Sequence, residues 1–314
     1  MATLPYTIIR PSSREEWLKC RERGIGSSEV ATIMGVNPYD TPYQLWRRKL
    51  GMDAPKQENF AMKAGHYLED AVAQFWSDAS ERKVIKRSAA DFIIQDNERP
   101  YLQASPDRTY WIGKSDKGIL ECKTTQRKVD KDDLPMYWFC QLQYQMGIMR
   151  AEQGSLAWLI SAREFDYKDF VLVPDFYAEI VEMVEKFWTD NILGKQEPEL
   201  LDTADVMTKY KTSTQGKEIL ADKETIKMLE TIVEMKDIVD EYQSLIDDCE
   251  AKIKVKMGDA EVLVDDKKNT LVTWKSSKAS EVLDTAKLKS EYPEVVAKCM
   301  KEKEGSRRFL LKVG

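Results

Sequence analysis

The sequence predicts an α/β (α+β) protein in which a mixed β-sheet is flanked by helices and followed by a long helix and a small α+β appendage. Three observations carry this. Apolar residues recur at helical spacing from Phe60 to Ala79, short β-type runs separated by turn residues fill positions 83–123, and the chain from Glu218 to about Met257 alternates apolar spacings of four and three. A chain of 314 residues has room for one large domain with a smaller appendage. The polar run Thr212-Ser213-Thr214-Gln215-Gly216 sets the expected boundary between a domain of residues 1–215 and an extension of residues 216–314.

Each element follows from local chemistry. After a polar opening segment with Trp17 and Leu18, Gly-Ser punctuation precedes the apolar run Val30 to Met34, making Ser27 or Ser28 the expected N-cap of a helix. Thr41-Pro42 opens the next helix and Gly51 closes it. In the helix from Phe60 to Ala79, Phe60, Ala64, Leu68, Ala71, Val72, Phe75 and Trp76 make the apolar stripe, and Glu69 rides on the same helix. Runs at Lys83–Lys86, Asp91–Gln95, Tyr101–Ala104, Thr109–Ile112 and Ile119–Lys123 predict a strand meander. A helix from about Leu134 to Met149, strands Ser155–Ser161 and Phe165–Val173, and a helix from Pro174 to about Leu193 complete the first part. The second begins with the long helix, in which Met228, Ile232, Met235, Val239, Tyr242, Ile246, Cys249 and Ile253 form a heptad seam. Such a seam packs within its own chain, against a neighbouring protomer, or as a docking groove for another protein. A hairpin of Glu261–Val264 and Thr270–Lys275, short helices near Thr285–Ser290 and Pro293–Lys301, and a last strand Arg308–Val313 are expected after it.

Composition narrows the chemistry. With 42% hydrophobic and 32% charged residues, collagen-like, low-complexity and disordered classes fail. No apolar stretch approaches membrane-span length and the first residues lack a basic-then-apolar leader, so neither export nor insertion is expected. The 5 cysteines include no C-x-x-C pair, which argues against a disulfide framework, a zinc site or an iron–sulfur cluster. A single histidine, His66, removes most histidine-based catalysis and leaves carboxylates and lysines. The net charge of −6 gives no global attraction for nucleic acid, although a local basic lining can coexist with it.

The strongest local signal is Ser105-Pro106-Asp107, then a hairpin, then Glu121-Cys122-Lys123 inside an apolar strand. Alternation along the strand puts Glu121 and Lys123 on one face and Cys122 on the other, its backbone carbonyl free to turn toward an ion. Two carboxylates and a carbonyl are hard oxygen ligands suited to Mg²⁺ or Mn²⁺, and a lysine beside the ion can orient or deprotonate a water for phosphodiester hydrolysis. From residue types alone, Glu121 and Lys123 can equally be an ion pair on a solvated strand. Arg21 and Ser28 can equally be a surface arginine and a cap, and Trp46-Arg47-Arg48-Lys49 either tracks a DNA backbone or forms a half-buried helix face.

Five ordered segments give a resemblance: Arg21-Glu22-Arg23-Gly24-Ile25-Gly26-Ser27-Ser28-Glu29-Val30, Gly65-His66-Tyr67-Leu68-Glu69, Ser105-Pro106-Asp107, Leu120-Glu121-Cys122-Lys123 and Cys140-Gln141-Leu142-Gln143-Tyr144. Together, over residues 14 to 193, they resemble the PD-(D/E)XK nucleases of the lambda exonuclease and YqaJ viral recombinase type. The resemblance implies a restriction-endonuclease-like core and assigns Asp107, Glu121 and the carbonyl of Cys122 to metal ligation. It makes Lys123 the water-activating lysine, Glu69 an auxiliary acid, and Gln141 a residue holding the active-site water or substrate, with Tyr144 one turn along. A 5′-phosphate pocket would use Arg21, Ser28 and Ser105, with Arg127 as its second basic residue slightly off the family spacing and Lys128 and Lys131 as rivals. Arginine forks, hydroxyls and helix N-terminal amides do make anion sites. The implied protein is a Mg²⁺-dependent, phage- or prophage-encoded exonuclease acting in the bacterial cytoplasm. It degrades the 5′-ended strand of linear double-stranded DNA, leaves 3′ overhangs, forms a homotrimeric ring and partners a single-strand annealing protein of the RecT or Red-beta kind. Rival readings are an endonuclease on the same core and a non-catalytic DNA-binding or scaffold protein.

Overall fold

The computed structural model describes residues 4–53, 59–85, 92–113, 116–301 and 305–312. The chain divides into two compact units, Met1–Lys209 and Tyr210–Gly314. The first opens with a strand the sequence pattern did not single out, β1 (Tyr6–Ile9), followed by α1 (Arg14–Glu22), whose cap Ser13 accepts a hydrogen bond from the Glu16 amide. A two-residue strand, β2 (Ile25–Gly26), leads into α2 (Ser27–Ile33). The cap of α2 is Gly26, not Ser27 or Ser28: both serines lie inside the helix, and the Glu29 carboxylate reaches back to accept the Gly26 amide at 2.8 Å. Helix α3 (Pro42–Lys49) starts as expected, with Thr41 accepting from the Gln44 amide, and Gly51 follows in the left-handed region at φ +69°. Helix α4 (Phe60–Ser80) is capped by Asn59.

Next come β3 (Val84–Ile85), β4 (Ile93–Asp96), β5 (Leu102–Ala104), β6 (Arg108–Ile112) and β7 (Asp116–Thr125). Lys86 and Asp91, which belong to two of the expected runs, lie outside the described residues, as does Val313. These strands do not form one meander. The Asp96 side chain accepts from the amides of Glu98 and Arg99 and closes a tight β4–β5 hairpin, which β1 and β2 extend into a four-stranded sheet of order β1-β4-β5-β2. The β6–β7 hairpin instead joins β3, β8 (Gln153–Ile160) and β9 (Glu164–Val171) in a five-stranded sheet of order β3-β6-β7-β8-β9. Its central pair β7–β8 is parallel and therefore needs a crossover, supplied by α5 (Met136–Met149). Helix α6 (Pro174–Lys186) runs on into a π-helical segment, Phe187–Leu193, and α7 (Thr203–Lys209) ends the unit.

The five-stranded sheet is covered on both faces. Val72, Ala73 and Trp76 of α4 pack on Tyr110, Leu120, Cys122, Ala157 and Leu159, while Trp138, Leu142 and Met146 of α5 pack on Ile119, Leu156 and Trp158. Alternation along β7 thus sends Leu120 and Cys122 toward α4 and Ile119, Glu121 and Lys123 toward α5. A third cluster joins α2, α3, α5 and α6 to the small sheet.

In the second unit α8 (Lys223–Met257) precedes the hairpin β10 (Val262–Val264) and β11 (Thr270–Thr273), then α9 (Thr285–Glu291) and α10 (Pro293–Cys299). The expected last strand does not form over residues 308–312. Among the described residues β10 and β11 pair only with each other, so that segment has no ladder to join. No described helix is long and apolar enough to cross a membrane.

Gly118 in β7 faces Tyr110, which is fully buried, and a Cβ at this position would drive into the phenol ring. Alanine in a strand normally gains about 0.5–1 kcal/mol over glycine. Here the overpacking outweighs that gain, and Gly118→Ala is expected to lower stability by about 1–3 kcal/mol in a urea unfolding series.

Candidate active site

A cleft of about 1130 Å³ opens in the first unit, lined in part by Arg21, Ser28, Glu69, Asp107, Glu121 and Lys123. Asp107 lies at the turn into β6, and its Oδ2 accepts the Cys122 amide at 2.8 Å, so the hairpin itself fixes it beside Glu121. Glu121 is almost wholly buried, and three side chains hold its carboxylate. Lys123 Nζ and Gln141 Nε2 donate to Oε1 at 2.7 and 2.5 Å, and Gln145 Nε2 donates to Oε2 at 2.9 Å. Lys123 Nζ also donates to Gln141 Oε1 at 2.8 Å. Gln141 and Gln145 are one helical turn apart on α5, so one helix face grips both oxygens.

Glu69 projects from α4 into the same cleft, with His66 Nδ1 3.0 Å and Arg108 Nη1 3.9 Å from its carboxylate. Arg108 further donates to the Asp107 carbonyl and to Asp70. Burial and the charges of Glu121 and Glu69 together push the Asp107 carboxyl well above the usual carboxylate range. Burial opposes the Lys123 ammonium, but the charges of Glu121 and Asp107 outweigh it and hold its pKa above the ordinary lysine value. Lys123 is therefore a cation at neutral pH and acts by position and charge. The Cys122 thiol is pushed well up by burial and by the nearby carboxylates, so its backbone carbonyl, not a thiolate, is the group suited to a hard ion.

The second wall is the segment from Cys20 to Glu29. Lys49 Nζ, buried, donates to the carbonyls of Arg21 and Gly24 at 2.9 and 2.6 Å and pairs with Glu29 at 2.9 Å. Gln103 donates to the Cys20 carbonyl and Tyr144 Oη to the Ile25 carbonyl. Burial would raise the Glu29 carboxyl, yet Lys49 and Arg21 hold it below its ordinary value. Arg21 lies against Gly26, donates to Ser28 Oγ at 3.2 Å and sits over the Trp17 ring, where Arg14 sits as well. The Ser27 hydroxyl accepts from Gln145, which thereby ties this wall to Glu121.

The structure thus gathers Asp107, Glu121, Lys123, Gln141 and Glu69 at one end of the cleft and Arg21, Ser28 and Ser105 along it, with Ser105 Oγ donating to the Phe92 carbonyl. Arg127 is exposed and does not line the cleft. Tyr144 is turned into the core, and Gln143 clamps the end of β9 through Val171 and Val173. The run Trp46–Lys49 forms a half-buried helix face. Trp46 donates to the Asn191 carbonyl, Arg47 and Arg48 pair with Asp53 and Asp40, and Lys49 is spent on the Arg21–Glu29 wall. Sequence reasoning missed Gln145, Arg108 and Lys49; for Gln145 the signal was its place four residues beyond Gln141.

The donor set fits a hard divalent ion. Among the described residues no three His, Cys, Asp or Glu side chains make a coordination shell by themselves. Mg²⁺, however, needs only one or two carboxylates, keeping waters and taking substrate phosphate oxygens for the rest. The like charges that crowd Asp107 are what such an ion neutralises.

Residues 16–152 match the YqaJ-like viral recombinase domain. The chain is 30% identical over 311 residues to the "Uncharacterized protein YqaJ" of Bacillus subtilis (strain 168), covering 96% of this chain and 94% of that one. Among solved structures, an alkaline exonuclease from Laribacter hongkongensis aligns at 18% identity and a TM-score of 0.44, covering 57% of this chain and 93% of that one. A phage-related exonuclease from Haemophilus somnus 129PT aligns at 13% identity and a TM-score of 0.40, covering 55% and 96%.

Two stability outcomes follow. A carboxyl whose folded-state pKa is raised contributes stability below about pH 4, where both states are protonated, and loses it as pH rises through the folded-state value. In chelator, Asp107→Asn should therefore melt higher than the parent at pH 8, with the gap closing toward pH 4; an equal or lower melting temperature at pH 8 would contradict the crowding of charge at Asp107. Lys49→Met leaves Glu29 buried without its ammonium and should cost about 3–5 kcal/mol in chemical denaturation, with part recovered in Glu29→Gln/Lys49→Met.

Proposed function

The chain belongs to the YqaJ-like viral recombinase domain family, and from that premise we propose that its cleft hydrolyses DNA phosphodiesters as a Mg²⁺-dependent exonuclease. It shortens the 5′-ended strand of linear duplex DNA and leaves a 3′ overhang for an annealing protein. The observation that supports this best is the convergence of Asp107, Glu121 and Lys123 at one end of a cleft whose other wall carries Arg21 and Ser28. Asp107, Glu121 and the Cys122 carbonyl would hold Mg²⁺, or Mn²⁺ in its place. A bound ion supplies Lewis-acid polarisation of the scissile phosphate and lowers the pKa of a coordinated water.

The protein's own residues do the rest. The Lys123 ammonium, fixed by Glu121 and Gln141, orients a water and stabilises negative charge at the phosphate. Gln145 holds the far oxygen of Glu121, so that carboxylate cannot swing away. Arg21 offers a guanidinium and Ser28 a hydroxyl at the start of α2, where unsatisfied helix amides favour an anion, and the terminal 5′ phosphate docks there. Glu69 is an auxiliary acid facing the ion side of the cleft. End recognition by this wall explains how an acidic protein selects a DNA terminus: a few directed donors replace a large basic surface. The homotrimeric ring of the resembling nucleases is part of the same reading and would retain the substrate by topology.

The test is cleavage of linear duplex DNA labelled and phosphorylated at one 5′ end, beside a supercoiled circle, in Mg²⁺. Release of 5′ mononucleotides, an intact circle, silence in chelator and a loss of about 100-fold or more in Lys123→Ala are expected. Nicking of the circle would make the protein an endonuclease, and no cleavage in Mg²⁺ or Mn²⁺ would remove the catalytic reading.

A further inference from the structure

Arg108 lines the cleft and opens β6 immediately after Asp107, and strand alternation turns its side chain toward α4, as it does Tyr110. It is only 7% exposed, and an arginine that far from water is kept only where its donors are used. They are used on two elements at once. Nη1 donates to the Asp107 carbonyl at 2.5 Å and lies 3.9 Å from Glu69 Oε2, while Nη2 donates to Asp70 Oδ1 at 2.7 Å. One planar fork thus fastens the turn that carries Asp107 to the helix that carries Glu69. The point charge of a lysine would supply the cation without the fork.

This guanidinium bears on how many ions the cleft can take. Asp107, Glu121 and Glu69 gather at one end of it, and three carboxylates are enough for a pair of divalent ions, each of which needs only one or two. Asp107 and Glu69 are near enough for the charge of one to raise the carboxyl of the other. The balance of charge, however, differs between the two sides. Asp107 and Glu121 share one ammonium, that of Lys123, and keep a net negative charge that attracts a cation. Glu69 has a guanidinium of its own, which cannot be deprotonated in a protein and is pinned by its other two bonds. Asp70 does not restore the deficit, because its side chain is largely exposed and screened by water. We propose that Arg108 is a positioning residue that holds Glu69 off the metal and restricts the cleft to one divalent ion per chain, at Asp107 and Glu121. Glu69 then faces that ion across the cleft as an acceptor and not as a ligand. The inference rests on the metal-binding part of the nuclease reading.

The test is a titration of the full-length chain with Mn²⁺, without DNA, read by the electron paramagnetic resonance signal of the free ion. One bound ion per chain is expected for the parent and for Arg108→Lys, which keeps the charge, and two for Arg108→Gln. Glu69→Gln/Arg108→Gln should return to one, because the second ion needs the freed carboxylate. In cleavage assays the rate should rise hyperbolically with Mg²⁺ in the parent and sigmoidally in Arg108→Gln. Two ions on the parent, or one on a folded Arg108→Gln, would overturn the proposal. Should Arg108→Gln fail to fold, Glu69→Gln with Arg108 in place decides: it should keep the single ion, and loss of that ion would make Glu69 a ligand and overturn the proposal. The counts need no cleavage, so the two readings fail separately. No Mn²⁺ on the parent would overturn both, whereas the expected counts on a protein that cleaves no DNA would uphold the single ion and remove the nuclease.

Discussion

The buried carboxylate of Glu121 is the constraint on which the first unit turns. A carboxylate removed from water is tolerated only when hydrogen-bond donors and cations offset its lost hydration. Glu121 sits in the central strand of a covered sheet and takes its donors from Lys123 on the same strand and from Gln141 and Gln145 on the crossover helix. The register between β7 and α5 cannot slip by one residue without breaking three hydrogen bonds at once. The parallel β7–β8 pairing makes α5 obligatory as a connection, and the carboxylate fixes which face of that helix meets the sheet. Topology and site are thus held by one set of contacts.

A second buried ion pair organises the opposite wall by the same logic. Lys49 and Glu29 neutralise each other, but the lysine spends its remaining donors on the carbonyls of Arg21 and Gly24. That is why the path from the end of α1 into α2 is defined: the carbonyls of Cys20, Gly24 and Ile25 are claimed by Gln103, Lys49 and Tyr144 from three separate elements. Gln145 then joins the two walls through Ser27 and Glu121. The contrast with Asp107 is informative. Glu29 has cations close by and stays ionised, whereas Asp107 is buried among carboxylates and has chiefly an amide and the more distant Lys123 to offset them. One carboxylate is structural, and the other is held in a state that a bound cation would relieve.

How much of this was legible in the sequence depends on the range of the interaction. The helices Phe60–Ser80 and Met136–Met149 showed in their apolar spacing because each buries a stripe against a sheet face. Strands of two to four residues, such as β1 and β2, carry too few side chains for a period, and their place is set by partners distant in the chain. The single meander expected for residues 83–123 split in two because the turn at Asp96 and the β6–β7 hairpin each satisfied their own edges. The cap of α2 shifted to Gly26 because the helix already includes Ser27 and Ser28, and the Glu29 carboxylate closes back on the Gly26 amide. In the cleft, Asp107, Glu121 and Lys123 could be singled out from residue type and spacing, whereas Gln141 came only from the family resemblance. Lys49 came from neither, since a lysine after Trp46-Arg47-Arg48 looks like part of a basic surface until Glu29 is found beside it.

The crossover helix α5 shows why structural and chemical roles do not separate in this protein. Most of its residues from Trp138 to Ile148 are buried, so a polar side chain there has no solvent to turn to and must be satisfied within the protein. Its central run sends neighbours in different directions: Gln141 and Gln145 to Glu121, Gln143 to the end of β9, and Tyr144 to the carbonyl of Ile25. Each fixes a different element against the helix. A helix anchored by four such bonds cannot rotate to suit a substrate, and the geometry it presents to the cleft is therefore set before anything binds. Preorganisation of this kind is what an electrostatic site requires, because donors already in place need no reorientation when charge develops. The same packing that stabilises the sheet is thus the source of the fixed positions of Lys123 and Glu121.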